Sequence, residues 1–411
     1  MSPSSFFAHP HQAFTAGFYK SDFDFEVRTI LGTAAHGGSE PGEVLATIAG
    51  ISNGDHQEWF DQWSALGRRV MAIADSCAAG NHRRSASGAY LRAANYLAVA
   101  LNSVDELKSQ DPLLPTFRAH RMAWDGFVRT APYPVETVDI PYEGTTLPGF
   151  FFSPGVNGGA RPTVIMNNGS DGAISGLWSS GAAGALGRGY NVLLFDGPGQ
   201  QSMLFDRDMP FRFDWERVIT PVVDHLLSRN DVDPDRIALY GISQAGYWVP
   251  RSLAFEHRIA AAVADPGVVD VSTSWTAHLP KSMLALLHDG QREKFDKEME
   301  FGMKLPGGSE STWAFRARPY GQASYYDTMV EVEKYNLHDV AGSVSTPLLI
   351  TAPEDEHFWP GQSEKLAALL PGETELVRFT AAEGANYHCQ PLARLLTEQR
   401  MFDWLDTKLG L

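Results

Sequence analysis

The order of apolar runs along the chain predicts an α/β protein: a mostly parallel sheet with helices on both faces, preceded by a helical domain and interrupted by a helical lid. Three observations carry that prediction. Residues 1–135 show helical periodicity and almost no strand pattern. From residue 136 to 411, short apolar runs alternate with helical segments. Within that alternation, Gly241-Ile242-Ser243-Gln244-Ala245-Gly246 sets a serine between small residues where a strand gives way to a helix.

The elements follow in order. Glu58 to Ala79 carries apolar residues at Trp59, Trp63, Leu66, Val70 and Ile73, the three-to-four spacing of one buried helix face. Ser85 to Leu101 repeats the pattern, and Gly80-Asn81 separates the two as a stop signal. A third helix is predicted over Leu113 to Val128. Glu136–Ile140 and Leu147–Phe152, joined by Glu143-Gly144-Thr145, predict a hairpin. Further strands are predicted at Thr163–Met166, Asn191–Phe195, Ile237–Tyr240, Ala260–Ala264, Pro347–Thr351 and the more polar Thr374–Phe379. Asp233-Pro234-Asp235 reads as a turn into the Ile237 strand. Gln244 to Phe255 reads as a helix that Pro250 should kink. The segment 271–340 is too long for a simple crossover, and its helical pattern with Trp275, Trp313, Tyr320, Tyr325 and Tyr326 predicts an inserted lid.

The 411 residues are 44% hydrophobic and 20% charged, an ordinary composition for a soluble globular chain. A formal charge of −16 argues against nucleic acid or an anionic membrane as partner, because both need clustered Lys and Arg. No apolar run approaches the ~20 residues of a membrane span. Met1 to Phe7 lacks the basic start and long apolar core of a secretory signal. The two cysteines, Cys77 and Cys389, are expected to stay reduced, which fits a cytoplasmic location. Neither a zinc-type Cys/His spacing nor a dinucleotide fingerprint occurs, so no metal or organic cofactor is called for. The expected partner is a small-molecule substrate. The first 45 residues, rich in aromatics and without periodicity, suit docking on a second copy in a homodimer.

A serine hydroxyl is a poor nucleophile until a base takes its proton, and that base must be held in the right tautomer by an acid. In elbow enzymes the chain order is serine, acid, histidine. His388 fits the base, because the Gly-containing loop Glu383–His388 follows the last strand and can reach back over Ser243. The strand Pro347–Thr351 runs into Glu354-Asp355-Glu356, and Asp355 is assigned as the acid. Glu354, Glu356 and Asp265 are its alternatives. Charge developing on a carbonyl oxygen needs two N–H donors. Gln244 supplies the first, and the loop Asn167–Gly172 the second, from Ser170 or alternatively Asp171. The loop Asp196–Ser202 is expected to shape the pocket floor. Arg92 and Asn95, three apart on a helix, are assigned to the cleft, and Trp178 and the lid tryptophans to its apolar wall. Cys389 is given no chemistry, since adjacent side chains in a loop rarely face each other.

Ser85-Ala86-Ser87-Gly88-Ala89-Tyr90-Leu91-Arg92-Ala93-Ala94-Asn95-Tyr96, the Asp-Gly-Pro-Gly-Gln loop at 196–200 and Tyr387-His388-Cys389 together carry a resemblance. The chain resembles the α/β-hydrolase group that contains the 2,6-dihydroxypseudooxynicotine hydrolases, the FrsA-like proteins and the fungal polyketide-shortening hydrolases of pigment pathways. The resemblance spans roughly residues 50 to 405. It implies an α/β-hydrolase fold and a serine hydrolase whose substrate lies between the helical domain and the sheet. Several members cleave a carbon–carbon bond next to a ketone in an aromatic or polyketide compound. Ser243 matches the group's nucleophile, Asp355 its acid and His388 its base, with Ala245 where relatives often have glycine. The expected activity is hydrolysis of such a carbon–carbon bond or of an ester. Acyl transfer, cyclisation or elimination on the same triad is the first alternative, and a non-catalytic binding protein on the same fold is the second.

Overall fold

A computed structural model describes residues 17–155, 159–304 and 310–411. The N-terminal part is helical: α1 (Phe23–Gly32), α2 (Pro41–Ile48), α3 (His56–Ala79), α4 (Arg83–Asn102) and α5 (Leu113–Thr130). Asp55 starts α3 by accepting the Glu58 N–H at 2.9 Å. The helix buries Trp59, Trp63, Leu66 and Val70. The expected continuation at Ile73 is corrected: Ile73 is 46% exposed, and Ala74 is buried instead. After Val70 the buried stripe steps by four residues, not three, which keeps it on one side of a 3.6-residue helix. α4 packs against α3 on one side and α5 on the other, so it is buried nearly all round.

Eight strands form one sheet: β1 (Val135–Tyr142), β2 (Thr145–Phe152), β3 (Arg161–Asn167), β4 (Asn191–Phe195), β5 (Val232–Ile242), β6 (Ala261–Asp265), β7 (Leu348–Pro353) and β8 (Thr374–Phe379). Their order is β1-β2-β4-β3-β5-β6-β7-β8. β1 and β2 are the antiparallel hairpin, turning on Glu143 and Gly144, both at positive φ as a tight two-residue hairpin turn requires. β2 is antiparallel to β4, and the other pairings are parallel. The predicted turn at Asp233–Asp235 lies inside β5 as an irregularity. Arg161 pairs with Val232 and Thr163 with Ile237, so the extra β5 residues loop out, held by the Asp233 side chain on the Asp235 N–H.

Alternation along the strands splits the core in two. Val164 and Met166 join a cluster with α3, α4 and the C-terminal helix, whereas Ile165 and Leu239 join one on the opposite face. The connections supply the remaining helices: α6 (Ala183–Gly187), α7 (Gln201–Phe205), α8 (Glu216–Leu227) and α9 (Ala245–Leu253). Between β6 and β7 lie α10 (Thr273–Thr276), α11 (Lys281–His288), α12 (Arg292–Met303), α13 (Glu310–Ala317) and α14 (Tyr325–Val332). α15 (Gln362–Leu369) follows β7, and α16 (Arg394–Leu409) ends the chain. Pro250 lies inside α9, which continues through it to Leu253. Lacking an N–H, Pro250 leaves the Gly246 carbonyl free, and Val268 N–H donates to it at 3.3 Å. No helix among the described residues is long and apolar enough to cross a membrane.

Candidate active site

β5 ends at Ile242, and Ser243 turns the chain with φ 59°, a left-handed conformation that is uncommon outside glycine. Its N–H donates to the Asp265 carbonyl at 2.6 Å, tying the turn to the end of β6. The sequence around it is small because the space is. A Cβ on Gly246 would lie 1.8 Å from the Pro266 carbonyl oxygen, and one on Gly169 would lie 2.7 Å from the Ser243 Cβ. α9 can therefore start against the next loop, and the β3 loop can close over the serine, only without side chains there. Ala245, in place of the more usual glycine, fits with its methyl fully buried.

His388 comes from the loop after β8. Its Nε2 lies 2.9 Å from the Ser243 Oγ, and its Nδ1 lies 2.7 Å from Glu356 Oε2. The expected acid is thereby corrected: the carboxylate against His388 belongs to Glu356, not Asp355. Asp355 bridges backbone-to-backbone with the 386–387 segment, and its Oδ2 accepts the Asn386 side-chain amide at 2.5 Å. In extended backbone, neighbouring side chains leave on opposite sides, so a step of one residue decides which carboxylate meets the imidazole. Glu354 accepts the Ala381 N–H. Asp265 is fully buried, ion-paired with Arg394 at 3.2 Å and bonded by the Tyr240 and Thr351 hydroxyls, so it anchors β6 beneath the elbow.

Glu356 is held in place by the N–H groups of Phe358 and Trp359, which both donate to its Oε1. Burial opposes its ionisation, but the His388 charge and hydrogen bond together with these two donors keep its carboxyl below the usual range. Burial likewise disfavours a protonated His388, yet adjacent groups raise it well above the ordinary histidine value. Cys389 and Glu356 both bear on it. Burial pushes the Cys389 thiol up to about 11, leaving it uncharged at neutral pH, so the Glu356 carboxylate is the physical cause. The Cys389 Sγ donates to the Asp265 carbonyl.

The backbone N–H groups of Gln244 and Ser170 have no hydrogen-bond acceptor among the described residues, and both residues line the same cavity as Ser243. The β3 loop that carries Ser170 is braced. Asn168 Oδ1 accepts the Gly169 N–H, its Nδ2 donates to the Ala173 carbonyl, and Gln200 Nε2 donates to the Asn168 carbonyl at 2.8 Å. Gln200 in turn accepts the Gly197 N–H. The loop 196–202 thus supports the β3 loop, and Gly199 and Gln201 also face the cavity.

Above Ser243 and His388 is a cavity of about 480 Å³. Phe25 and Glu26 of α1 reach it from the helical part, and Trp275, Arg316 and Tyr320 from the segment between β6 and β7. The Tyr320 hydroxyl lies 3.2 Å from the Gln244 side-chain oxygen, and Phe358 packs edge-on against the His388 ring at 4.7 Å. Burial, with Asp171 and Asp22 adding to it, pushes Glu26 up to about 8. Asp171 is exposed, but to the cavity, and the surrounding protein raises its carboxyl too.

Three assignments to the cleft are corrected or narrowed. Arg92 is ion-paired with Glu43 at 3.0 Å and does not line this cavity. Asn95 is buried, donates to the Gly38 carbonyl, and borders only a smaller adjoining cavity. Trp178 packs in the core against Phe127 and Phe152. Of the lid tryptophans, Trp275 lines the cavity, and Trp313 packs edge-on against it at 5.1 Å. The described part of the first 45 residues packs on its own chain: Phe25 lies 5.4 Å from the His357 ring, and Arg28 sits 4.8 Å over Tyr387. Residues 1–16, including the Met1–Phe7 stretch, lie outside the described residues. Phe25, Glu26, Arg316 and Tyr320 were not singled out as site residues from sequence, and no local pattern marks them.

No protein-family model matches the chain. Its fold is that of the 2,6-dihydroxy-pseudo-oxynicotine hydrolase, superposing with a TM-score of 0.73 over 92% of this chain and 95% of that one at 20% identity. Hydrolase LUC6 of Fusarium sp is 32% identical over 431 residues, covering 98% of this chain and 99% of that protein. The chain belongs to the α/β-hydrolases. Within them, the 20-hydroxy-prefusarin hydrolase FUS2 of Gibberella moniliformis is 29% identical and aligns with 98% of this α/β-hydrolase and 99% of its own length. The similarity therefore includes the helical N-terminal part as well as the sheet.

Proposed function

We propose that this α/β-hydrolase is a serine-nucleophile enzyme in which Ser243 attacks an activated carbonyl, His388 takes its proton, and Glu356 orients the imidazole and stabilises its charged form. The observation that carries the reading is the unbroken line Ser243 Oγ, His388 Nε2, His388 Nδ1, Glu356 Oε2, with steps of 2.9 and 2.7 Å. The unengaged N–H groups of Gln244 and Ser170 are the oxyanion donors. They are preorganised, so they cost no reorganisation as charge develops. His388 then returns its proton to the leaving group, and water attacks the acyl-serine through the same base. For an ester the leaving group is an alcohol. For a carbon–carbon bond beside a ketone it is the enolate carbon of a β-dicarbonyl, which only a stabilised carbanion makes feasible.

The substrate we infer is an aromatic or polyketide-like small molecule. Support comes from the largely apolar cavity between helical part and sheet, walled by Phe25, Trp275 and Phe358. It comes also from the name of FUS2, a hydrolase of 20-hydroxy-prefusarin. A fluorophosphonate probe is expected to label the wild type and not Ser243→Ala. Turnover of an ester in oxygen-18 water is expected to place one labelled oxygen in the acid product. An unlabelled product would turn the reading towards acyl transfer or cyclisation, and no labelling of wild type by the probe would turn it towards a binding protein.

A further inference from the structure

We propose that Arg316 is a carboxylate anchor in the cavity, so that the substrate of this site carries an acidic group at the end remote from the reacting carbonyl. The proposal rests on reading the cavity as the substrate site. Arg316 lies on α13 and lines the cavity together with Ser243 and His388. Its guanidinium sits 4.5 Å over the Trp275 ring, and one nitrogen donates to the Ser274 hydroxyl at 3.0 Å. No carboxylate hydrogen-bonds or ion-pairs with it among the described residues, and none of the remaining residues is an Asp or Glu. The neighbouring Arg318 differs: it is neutralised by Asp105 and bonded to Gln110.

A guanidinium has five donors arranged to meet two oxygens at once. Arg316 uses one of them on a neutral hydroxyl, and its aromatic platform fixes the plane of the rest. While the cavity holds water this is tolerable. Once an apolar substrate displaces that water, an unpaired cation carries a large desolvation cost, unless the substrate brings an anion. Asp171 and Glu26 face the same space; Asp171 and the guanidinium interact through space, but neither carboxyl forms an ion pair with it, and burial disfavours the ionised form of both. The burial that lowers Arg316's own affinity for its proton has the same origin. The contact chain Gln244–Tyr320–Trp275–Arg316 sets the cation two aromatic rings from the elbow, which is why the acid belongs at the far end of the substrate.

The test compares 4-nitrophenyl hydrogen adipate with its methyl-capped diester on wild type, Arg316→Gln and Arg316→Lys. Wild type is expected to favour the acid about 10- to 100-fold, the value of one charge-assisted hydrogen-bond pair. Arg316→Gln should abolish that preference through KM: the acid loses its partner, and the capped ester, which no longer meets an unpaired cation, should bind at least as well as in wild type. Arg316→Lys should keep part of it, because the charge remains and the fork does not. Equal losses on both esters in Arg316→Gln would mean the residue only packs the lid, and would overturn the proposal. A binding arm separates this from the proposed chemistry: monomethyl and dimethyl adipate are titrated calorimetrically into Ser243→Ala with and without Arg316→Gln. A preference for the acid that vanishes with Arg316→Gln supports the anchor even where neither ester is turned over. No preference in either protein overturns it.

Discussion

On the floor of the cavity, Ser243 is held at positive φ between Gly241 and Gly246, where a single added methyl would collide with Val249 or with the Pro266 carbonyl. On the roof, Phe25, Glu26, Trp275 and Arg316 reach the same space from two segments far apart in the chain, and none of the four is at positive φ. The floor is specified by what each position forbids, and the roof by which surfaces happen to meet. In the proposed reaction, chemistry that must be placed to a few tenths of an ångström would sit on the first kind of structure, and substrate selection, which tolerates side-chain adjustment, on the second. Substitutions on the floor should therefore abolish turnover or folding, and substitutions on the roof should change which substrate is used.

The largest contrast is expected at the nucleophile. Ser243→Ala should lower kcat by about 10⁴- to 10⁶-fold while the circular dichroism spectrum and melting curve stay those of the wild type. Next, Glu356→Gln should reduce kcat by about 10³- to 10⁴-fold, since an amide can no longer stabilise the imidazolium, whereas Asp355→Asn should cost less than about tenfold. Steady-state kinetics on one ester suffice, and the reverse ranking would falsify the assignment of Glu356. Gly246→Ala tests the floor by stability. Helix propensity alone favours alanine, but the 1.8 Å approach to the Pro266 carbonyl should destabilise the fold by about 3 kcal/mol in urea unfolding.

The pH dependence sharpens the same comparison. His388 must be neutral to accept the serine proton, and the Glu356 carboxylate holds its imidazolium form above the ordinary histidine value. The kcat/KM profile should therefore rise with pH through an apparent pKa above 6.5, and Glu356→Gln should move that limb to lower pH. A limb unmoved by the substitution would separate the two groups electrostatically. The smallest effect is expected at Arg92→Ala. It removes a half-exposed ion pair with Glu43 and should cost about 1 kcal/mol of stability or less, with KM unchanged.

Much of this was legible in the residues. The strand pattern, the hairpin turn, the elbow and the histidine all depend on local rules of periodicity, turn conformation and chain order, and each of those is written in a few adjacent positions. Other features escape local pattern, for physical reasons of the same kind. Ile73 and Ala74 are both compatible with a helical stripe, and only the packing of the core around the helix selects between them. Glu354, Asp355 and Glu356 are three successive carboxylates after β7, and the pairing of Asp355 with the 386–387 segment leaves Glu356 against His388. Arg92 and Trp178 were drawn towards the cleft by their type, yet Glu43 and the packing beside Phe127 claim them.

The sequence by itself determined the α/β succession, the turn that lifts Ser243 from the sheet, and the identity of His388 as the residue able to reach it, because steric exclusion and hydrogen-bond geometry act over a few neighbouring positions. Only the tertiary structure decided which carboxylate lies against that histidine and which side chains enclose the cavity. Those choices depend on one-residue differences in facing direction and on helices from distant segments, and neither leaves a trace in local pattern.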